Sequence, residues 1–139
     1  MATARKVAIC VNSAALDQVY SALIMAAAAS AVAERVDVCV AMGGVTAFVK
    51  GKIEKLDLAC ELSALDAGFK KRVKDSNYVN PLDLIRQAKD CGNTRFFVCQ
   101  PAIDLFGLTR ADLIGEVDEV IGATAALEIA AEADVTLVY

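Results

Sequence analysis

Short runs of apolar residues alternate along the chain with stretches of helical character. Lys6 to Val11 (KVAICV) and Val36 to Met42 (VDVCVAM) are rich in β-branched residues, as expected of strands buried on both faces. Three further strands are predicted, at Arg95 to Gln100, Glu119 to Ile121 and Val135 to Tyr139. Because helical segments separate the strands, we predict a single α/β domain over residues 1–139, with three α/β/α layers around a mostly parallel five-stranded sheet.

Capping residues mark some of the helices. Asn80 is a suitable cap and Pro81 suits a first helical position, so a helix is predicted from there to Cys91–Gly92, with Gly92 as its C-cap. Ser13 is predicted to cap a first helix that runs to about Glu34. Further helical segments are predicted at Val45 to Lys50, Pro101 to about Gly107, Thr109 to Leu113 and Gly122 to Ala133. The stretch from Gly51 to Val79 has an irregular pattern and stays unassigned.

The composition narrows the class of protein. Apolar residues make up 57% of the chain, above the usual range of roughly 45–50%, which predicts a packed core and surface buried between the subunits of a homo-oligomer. The uncharged stretch from Val19 to Ala33 is shorter than the roughly 20 residues of a bilayer span, so we expect a buried helix and no membrane partner. The net charge of −4 argues against nucleic acid as a partner.

The cysteines and the absence of histidine limit the chemistry. Five cysteines without framework spacing favour free thiols in a reducing compartment, the cytoplasm. A chain with no histidine has no Cys–His pair, no Ser–His–Asp triad and no His-ligated metal. We therefore expect neither a metal nor an organic cofactor. A reactive cysteine would be activated by backbone dipoles or by Lys and Arg side chains.

Four turns follow predicted strands, at the sheet edge where ligands of parallel sheets bind. Three of them lead into helix N-termini, whose N–H groups can hold an anion. Cys99 is the one strong nucleophile among these positions. Two interpretations of it remain open: a packed thiol, or a thiolate stabilised by the helix that begins at Pro101. The predicted site comprises the nucleophile Cys99 and the anion- or substrate-binding residues Ser13, Gly43, Gly44, Gln100, Gly122 and Thr124.

The other cysteines receive different interpretations. Cys10 and Cys39 lie among valines and are predicted to be small core residues. Cys91 is predicted at the opposite edge of the sheet from Cys99, because a strand of roughly 13 Å separates them. That distance exceeds the roughly 7 Å that a disulfide allows between Cα atoms, so Cys91 is assigned an auxiliary role.

The segment Phe69 to Lys74 (FKKRVK) is a basic cluster with two possible interpretations. It is a solvated surface, or it is a docking patch for an acidic partner protein or an anionic sulfur compound.

Three stretches together resemble a known family. They are Lys6 to Ala29 (KVAICVNSAALDQVYSALIMAAAA), Cys99 to Leu113 (CQPAIDLFGLTRADL) and Gly122 to Tyr139 (GATAALEIAAEADVTLVY). In order and spacing they are similar to the DsrE/DsrF-like family of sulfur-relay proteins. One departure is that Gln100–Pro101–Ala102 stands where relatives often place a hydroxyl residue soon after the cysteine.

The resemblance implies a cytoplasmic sulfur carrier or sulfurtransferase whose reactive residue is Cys99. Cys91 resembles the second cysteine of a subgroup linked to heterodisulfide-reductase-like sulfur oxidation. Members of that subgroup exchange persulfide or bound thiosulfate with the small carrier TusA, and family members form trimers or hexamers. The preferred function is therefore thiol-based transfer of inorganic sulfur. The alternatives are a non-catalytic binding or regulatory subunit of the same fold, and nucleotide binding, which the absence of a P-loop disfavours.

Overall fold

A computed structural model describes residues 4–139, so the first three residues of the predicted domain lie outside the described part. The chain forms a five-stranded sheet in the order β4-β3-β2-β1-β5, and every pairing between the described strands is parallel. The strands are β1 (Lys6–Val11), β2 (Arg35–Val40), β3 (Thr94–Cys99), β4 (Glu119–Ile121) and β5 (Val135–Val138). The predicted α/β fold with a five-stranded sheet is confirmed.

Helices connect the strands in chain order. They are α1 (Leu16–Val32), α2 (Gly44–Ala47), α3 (Asp66–Asp75), α4 (Pro81–Asp90), α5 (Gln100–Leu105) and α6 (Ala123–Glu132), with 3-10 turns at Cys60–Leu65 and Arg110–Asp112. The start of α4 is confirmed, because the Asn80 side chain accepts a hydrogen bond of 2.9 Å from the Asp83 N–H. At its end, Cys91 is the cap and Gly92 follows in the left-handed region with φ of 78°.

The predicted cap of the first helix is wrong. Helix α1 begins at Leu16, and the Ser13 hydroxyl instead accepts a hydrogen bond of 3.1 Å from the Ala15 N–H. The Leu16 N–H donates to the carbonyl of Asp57 at 2.7 Å. A donor of the first turn is thus satisfied by a distant loop, which the local sequence does not reveal.

One face of the sheet carries the main core. Alternate strand positions that include Ile9, Val38 and Phe96 are buried there, and α1 packs against β1, β2 and α4. The alanine-rich stretch of α1 therefore packs within the subunit, with Ala22 and Ala26 completely buried. Across residues 4–139 the structure has no helix long and apolar enough to span a bilayer.

The second face of the sheet is less well covered. In the described chain it is packed by α6, a helix without a single buried residue. Asp37, which is 3% exposed, lies on this face and accepts hydrogen bonds from Arg35 at 2.6 Å and from Arg95 at 3.2 Å. This ion cluster lies toward the amino edge. The half-buried thiols of the same face lie toward the carboxyl edge.

Candidate functional site

Cys99 is the last residue of β3 and the N-cap of α5. Its side chain is partly exposed and makes no capping hydrogen bond with the described residues. The first N–H groups of a helix lack acceptors within the helix, so α5 directs unsatisfied donors toward this end of β3. Pro101 contributes none, because proline has no N–H. Cys99 is therefore partly exposed at a helix N-terminus, the position that the sequence predicted for it.

A second helix N-terminus lies beside the first. Cys99 is in register with Ile121, the last residue of β4, and neighbouring strands are about 4.8 Å apart. The chain continues through Gly122, the N-cap of α6, to the exposed Thr124, and no side chain of the described residues caps this helix. The fold thus brings Cys99, Gly122 and Thr124 to one corner of the sheet.

Gln100 follows the thiol in sequence, but its amide is engaged elsewhere. The side-chain N–H donates to the carboxylate of Asp104 at 2.8 Å. This bond holds the Gln100 side chain along the surface of α5. Substrate binding by that amide requires the Gln100–Asp104 bond to open.

The glycine turn after β2 is shaped by close packing. A Cβ on Gly44 would lie 2.3 Å from the carbonyl oxygen of Val11, and the Gly44 N–H already donates to Asn12 O at 3.0 Å. We therefore assign Gly44 to close packing, and its predicted role in anion binding stays a prediction. Gly43 remains partly exposed beside Met42, which adopts a left-handed φ of 44° and is half-exposed.

Ser13 lies at the same edge, after β1, so the predicted site residues other than Cys91 all lie at the carboxyl end of the sheet. Cys91 is exposed at the other end, where α4 ends and the turn to β3 begins. All five cysteines are free thiols. Within the described range, no group of three or more potential ligands could hold a metal ion.

Sequence reasoning missed a row of thiols. Cys10 and Cys39 are partly exposed rather than enclosed in the core. Cys10 is in register with Cys39, and Cys39 with Phe97, two residues before Cys99. Because alternate residues of a strand share a face, the three thiols lie on the second face of the sheet. The polar Asp37, at the alternate position before Cys39, is the sequence signal that this face is not simply apolar.

The two inner thiols are held in the protonated form. Burial raises the pKa of Cys39 to about 12, and repulsion between its thiolate and the carboxylate of Asp37, or a neighbouring thiol once that thiol is ionised, adds to the effect. Burial also raises the pKa of Cys10, although a side-chain hydrogen bond with Asn12 partly offsets the rise. Both thiols are therefore poor nucleophiles at neutral pH, which leaves Cys99 as the candidate nucleophile of the row.

The comparisons with known proteins agree with this architecture. The chain is similar to the solved structure of the YchN protein from E. coli, at 18% identity and a TM-score of 0.67, over 97% of this chain and 99% of that one. It is similar at 14% identity and a TM-score of 0.62 to MTH1491, a protein of unknown function from Methanobacterium thermoautotrophicum, with the same coverage. No curated protein matches the chain by sequence. The model of the DsrE/DsrF-like family matches residues 5–139, and the chain therefore belongs to that family.

Proposed function

We propose that this chain carries sulfur covalently on Cys99 and passes it to the thiol of a partner protein. The observation that carries the proposal is the free Cys99 thiol at the carboxyl edge of the sheet, with the uncapped N-termini of α5 and α6 beside it. Membership of the DsrE/DsrF-like family supports a role of the sulfur-relay type at a coarse level.

Loading is a displacement at sulfur. The Cys99 thiolate attacks a sulfur atom of the donor, a new S–S bond forms, and the donor's own S–S bond breaks. With tetrathionate the product is an S-thiosulfonate on Cys99, and thiosulfate leaves with the bonding electron pair. With a polysulfide the product is a persulfide, and a polysulfide shorter by one sulfur leaves. Each product is anionic, so the N–H groups at the starts of α5 and α6 would stabilise it.

Release follows the same chemistry in reverse. An acceptor thiolate attacks the outer sulfur of the Cys99 persulfide, the acceptor becomes the persulfide, and Cys99 leaves as thiolate. The acceptor proposed is a small TusA-like carrier protein in the cytoplasm. Neither transfer step requires a metal or an organic cofactor.

Cys91 has an auxiliary role in this proposal. It is exposed at the amino edge of the sheet, with the length of β3 between it and Cys99. From there it cannot assist the displacement at Cys99 within one subunit. It would be a slower, secondary site of sulfur loading or a contact with a neighbouring subunit.

We propose that the chain forms a homo-oligomer, and the family resemblance implies a trimer or hexamer. Exposed apolar side chains on the second face of the sheet support this proposal. Leu127 on α6 is 70% exposed and Val138 on β5 is 66% exposed. The partly exposed thiols of Cys10 and Cys39 lie on the same face. Light scattering at micromolar concentration tests this assembly, and a monomer would contradict it.

Transfer of sulfur from the loaded chain to a carrier protein distinguishes a sulfur carrier from a non-catalytic binding or regulatory subunit. The chain is loaded with polysulfide, freed of excess reagent and mixed with a TusA-like carrier that has one reactive thiol. Intact-mass analysis is expected to show the carrier gaining sulfur as this chain loses it. A loaded chain that keeps its sulfur in the presence of such carriers would favour a binding or regulatory subunit.

A further inference from the structure

Helix α3 lies loosely on α1 and leaves an apolar groove between them. Two adjoining cavities, of about 240 and 280 Å³, share Tyr20, Phe69 and Val73 as lining residues. No residue of α3 is buried in the described chain. Tyr20 and Phe69 meet edge to face, with ring centroids 6.2 Å apart. The outer part of the groove opens between Ile24, 43% exposed, and Tyr78, 67% exposed. Aromatic side chains thus line a groove that solvent reaches.

The groove opens at the same end of the molecule as Cys99. Helices α1 and α4 run back from the carboxyl edge of the sheet, because each follows a strand and precedes its parallel neighbour. Their first residues, Leu16 and Pro81, both line the groove. A protein that occupies the groove would therefore lie on the α1 face at the carboxyl end of the sheet, and would reach Cys99, on the other face, across that edge.

The segment that carries α3 and the loop before it is basic, although the whole chain has a net charge of −4. Half of the 14 Lys and Arg side chains lie between Lys50 and Lys74. Lys70 is neutralised by Asp57 and Asp66, and Lys71 by Asp75. Five exposed cations of the segment have no carboxylate within salt-bridge distance in the part of the chain that the structure describes: Lys50, Lys52, Lys55, Arg72 and Lys74. Glu54, which lines the groove, is likewise in no salt bridge with the described residues. This local excess of positive charge is complementary to an acidic partner.

We propose that the groove between α1 and α3 is the docking surface for an acidic, amphipathic segment of the protein that exchanges sulfur with Cys99. That the docked protein exchanges sulfur with Cys99 rests on the proposed function. Apolar side chains of the segment would pack on Tyr20, Phe69 and Tyr78, and its carboxylates would face Arg72 and Lys74. Arg72 lines the outer part of the groove, and the other unpaired cations lie along the segment from Lys50 to Lys74, which favours an extended acidic surface over a small anion. Rim charges of this kind set the association rate and the choice of partner.

A peptide probe tests the groove in the intact chain. The probe is a fluorescein-labelled helical peptide with Leu and Phe on one face and Glu on the other, and its control has Lys in place of Glu. Fluorescence anisotropy is expected to show binding of the Glu peptide that weakens as salt is added. Arg72→Glu with Lys74→Glu should weaken that binding about 10-fold or more. Ile24→Gln, an exposed change on α1, should weaken it without altering charge.

A matched control has the same change of net charge elsewhere. Arg5→Glu with Lys6→Glu lies at the amino edge of the sheet, where these side chains pair with the exposed Glu34 and Glu132. It should leave peptide affinity unchanged. Equal binding of the Lys peptide, or full binding by the Arg72→Glu, Lys74→Glu variant, would overturn the proposal. A smaller oligomer formed by that variant would also overturn it, because a second copy would then occupy the groove.

Loading of Cys99 by tetrathionate provides the independent readout. The Arg72→Glu, Lys74→Glu variant should load at the parent rate, since tetrathionate does not use the groove. A parent chain that binds the Glu peptide but does not load retains the docking surface and refutes the sulfur-transfer role. A parent chain that loads but does not bind the Glu peptide refutes the docking surface and retains the sulfur-transfer role.

Discussion

Cys10 and Cys39 lie side by side in register on the parallel strands β1 and β2. The face they share also carries Cys99. Cys39 is in register with Phe97 on β3, and Cys99 lies two residues after Phe97. Burial raises the pKa of both inner thiols. Ionisation of these two thiols is therefore suppressed, and this has measurable consequences.

Alkylation should distinguish the five thiols. In folded protein at neutral pH, iodoacetamide is expected to modify the exposed Cys60 and Cys91 as well as Cys99, while Cys39 resists because its pKa is about 12. Peptide mapping after timed labelling gives each rate, and labelling in urea is the control in which all five react. Labelling of Cys39 in folded protein as fast as Cys91 would contradict the assignment.

Stability should fall at high pH through Cys39. Its pKa is raised from 9.0 to about 12, so the stabilising contribution of its protonated form is complete below pH 9 and is lost as the pH rises toward 12. The slope for this one group is about 1.4 kcal/mol per pH unit. Urea unfolding between pH 9 and 11 should show a shallower decline for Cys39→Val than for the parent. Parallel declines would show that Cys39 does not cause the loss.

Asp37 should be needed for stability but not for sulfur loading. It is almost fully buried and pairs with both Arg35 and Arg95. Asp37→Asn keeps the shape but removes the charge, and we expect a loss of about 1–3 kcal/mol in unfolding free energy. Arg5→Ala, which breaks the exposed pair with Glu34, is the control and should change stability by less than about 1 kcal/mol. An Asp37→Asn variant as stable as the parent would refute the role of this ion cluster.

The packing assigned to Gly44 is tested by adding one methyl group. Gly44→Ala places a Cβ 2.3 Å from the Val11 carbonyl oxygen, so β1 or α2 must move. The expected loss is about 2 kcal/mol or more in unfolding free energy. Gly115→Ala, where nothing lies within 4 Å of the added Cβ, should change stability by about 0.5 kcal/mol or less. Equal effects of the two substitutions would contradict the close approach of β1 to α2.

The sequence predicts those elements whose signals are local. Strand β1 is a continuous apolar run, and α4 begins with a cap and a proline, so both were expected within a residue of their observed bounds. Helix α3 was missed because its apolar side chains Phe69 and Val73 are few, and i,i+4 ion pairs such as Lys70 with Asp66 help to stabilise it.

In the candidate site, too, only the features with local sequence signals were predicted. The position of Cys99 between a strand end and a helix start was predicted, because both are visible in the sequence. The partial exposure of Cys10 and Cys39 was not predicted, because it depends on how much of the second face of the sheet α6 covers. The cap of α1 was also misplaced, since its first N–H pairs with Asp57, far along the chain. These features arise from contacts between distant segments, which a pattern along the chain does not encode.

Site-resolved loading shows whether Cys99 is the residue that carries the sulfur. The parent, Cys99→Ser and Cys91→Ser proteins are each incubated with tetrathionate at neutral pH, and the added mass is located by intact-mass analysis and non-reducing peptide mapping. We predict a thiosulfonate on Cys99 in the parent, most of that loading retained in Cys91→Ser, and little in Cys99→Ser. A Cys99→Ser protein that loads as fast and as fully as the parent would contradict this prediction.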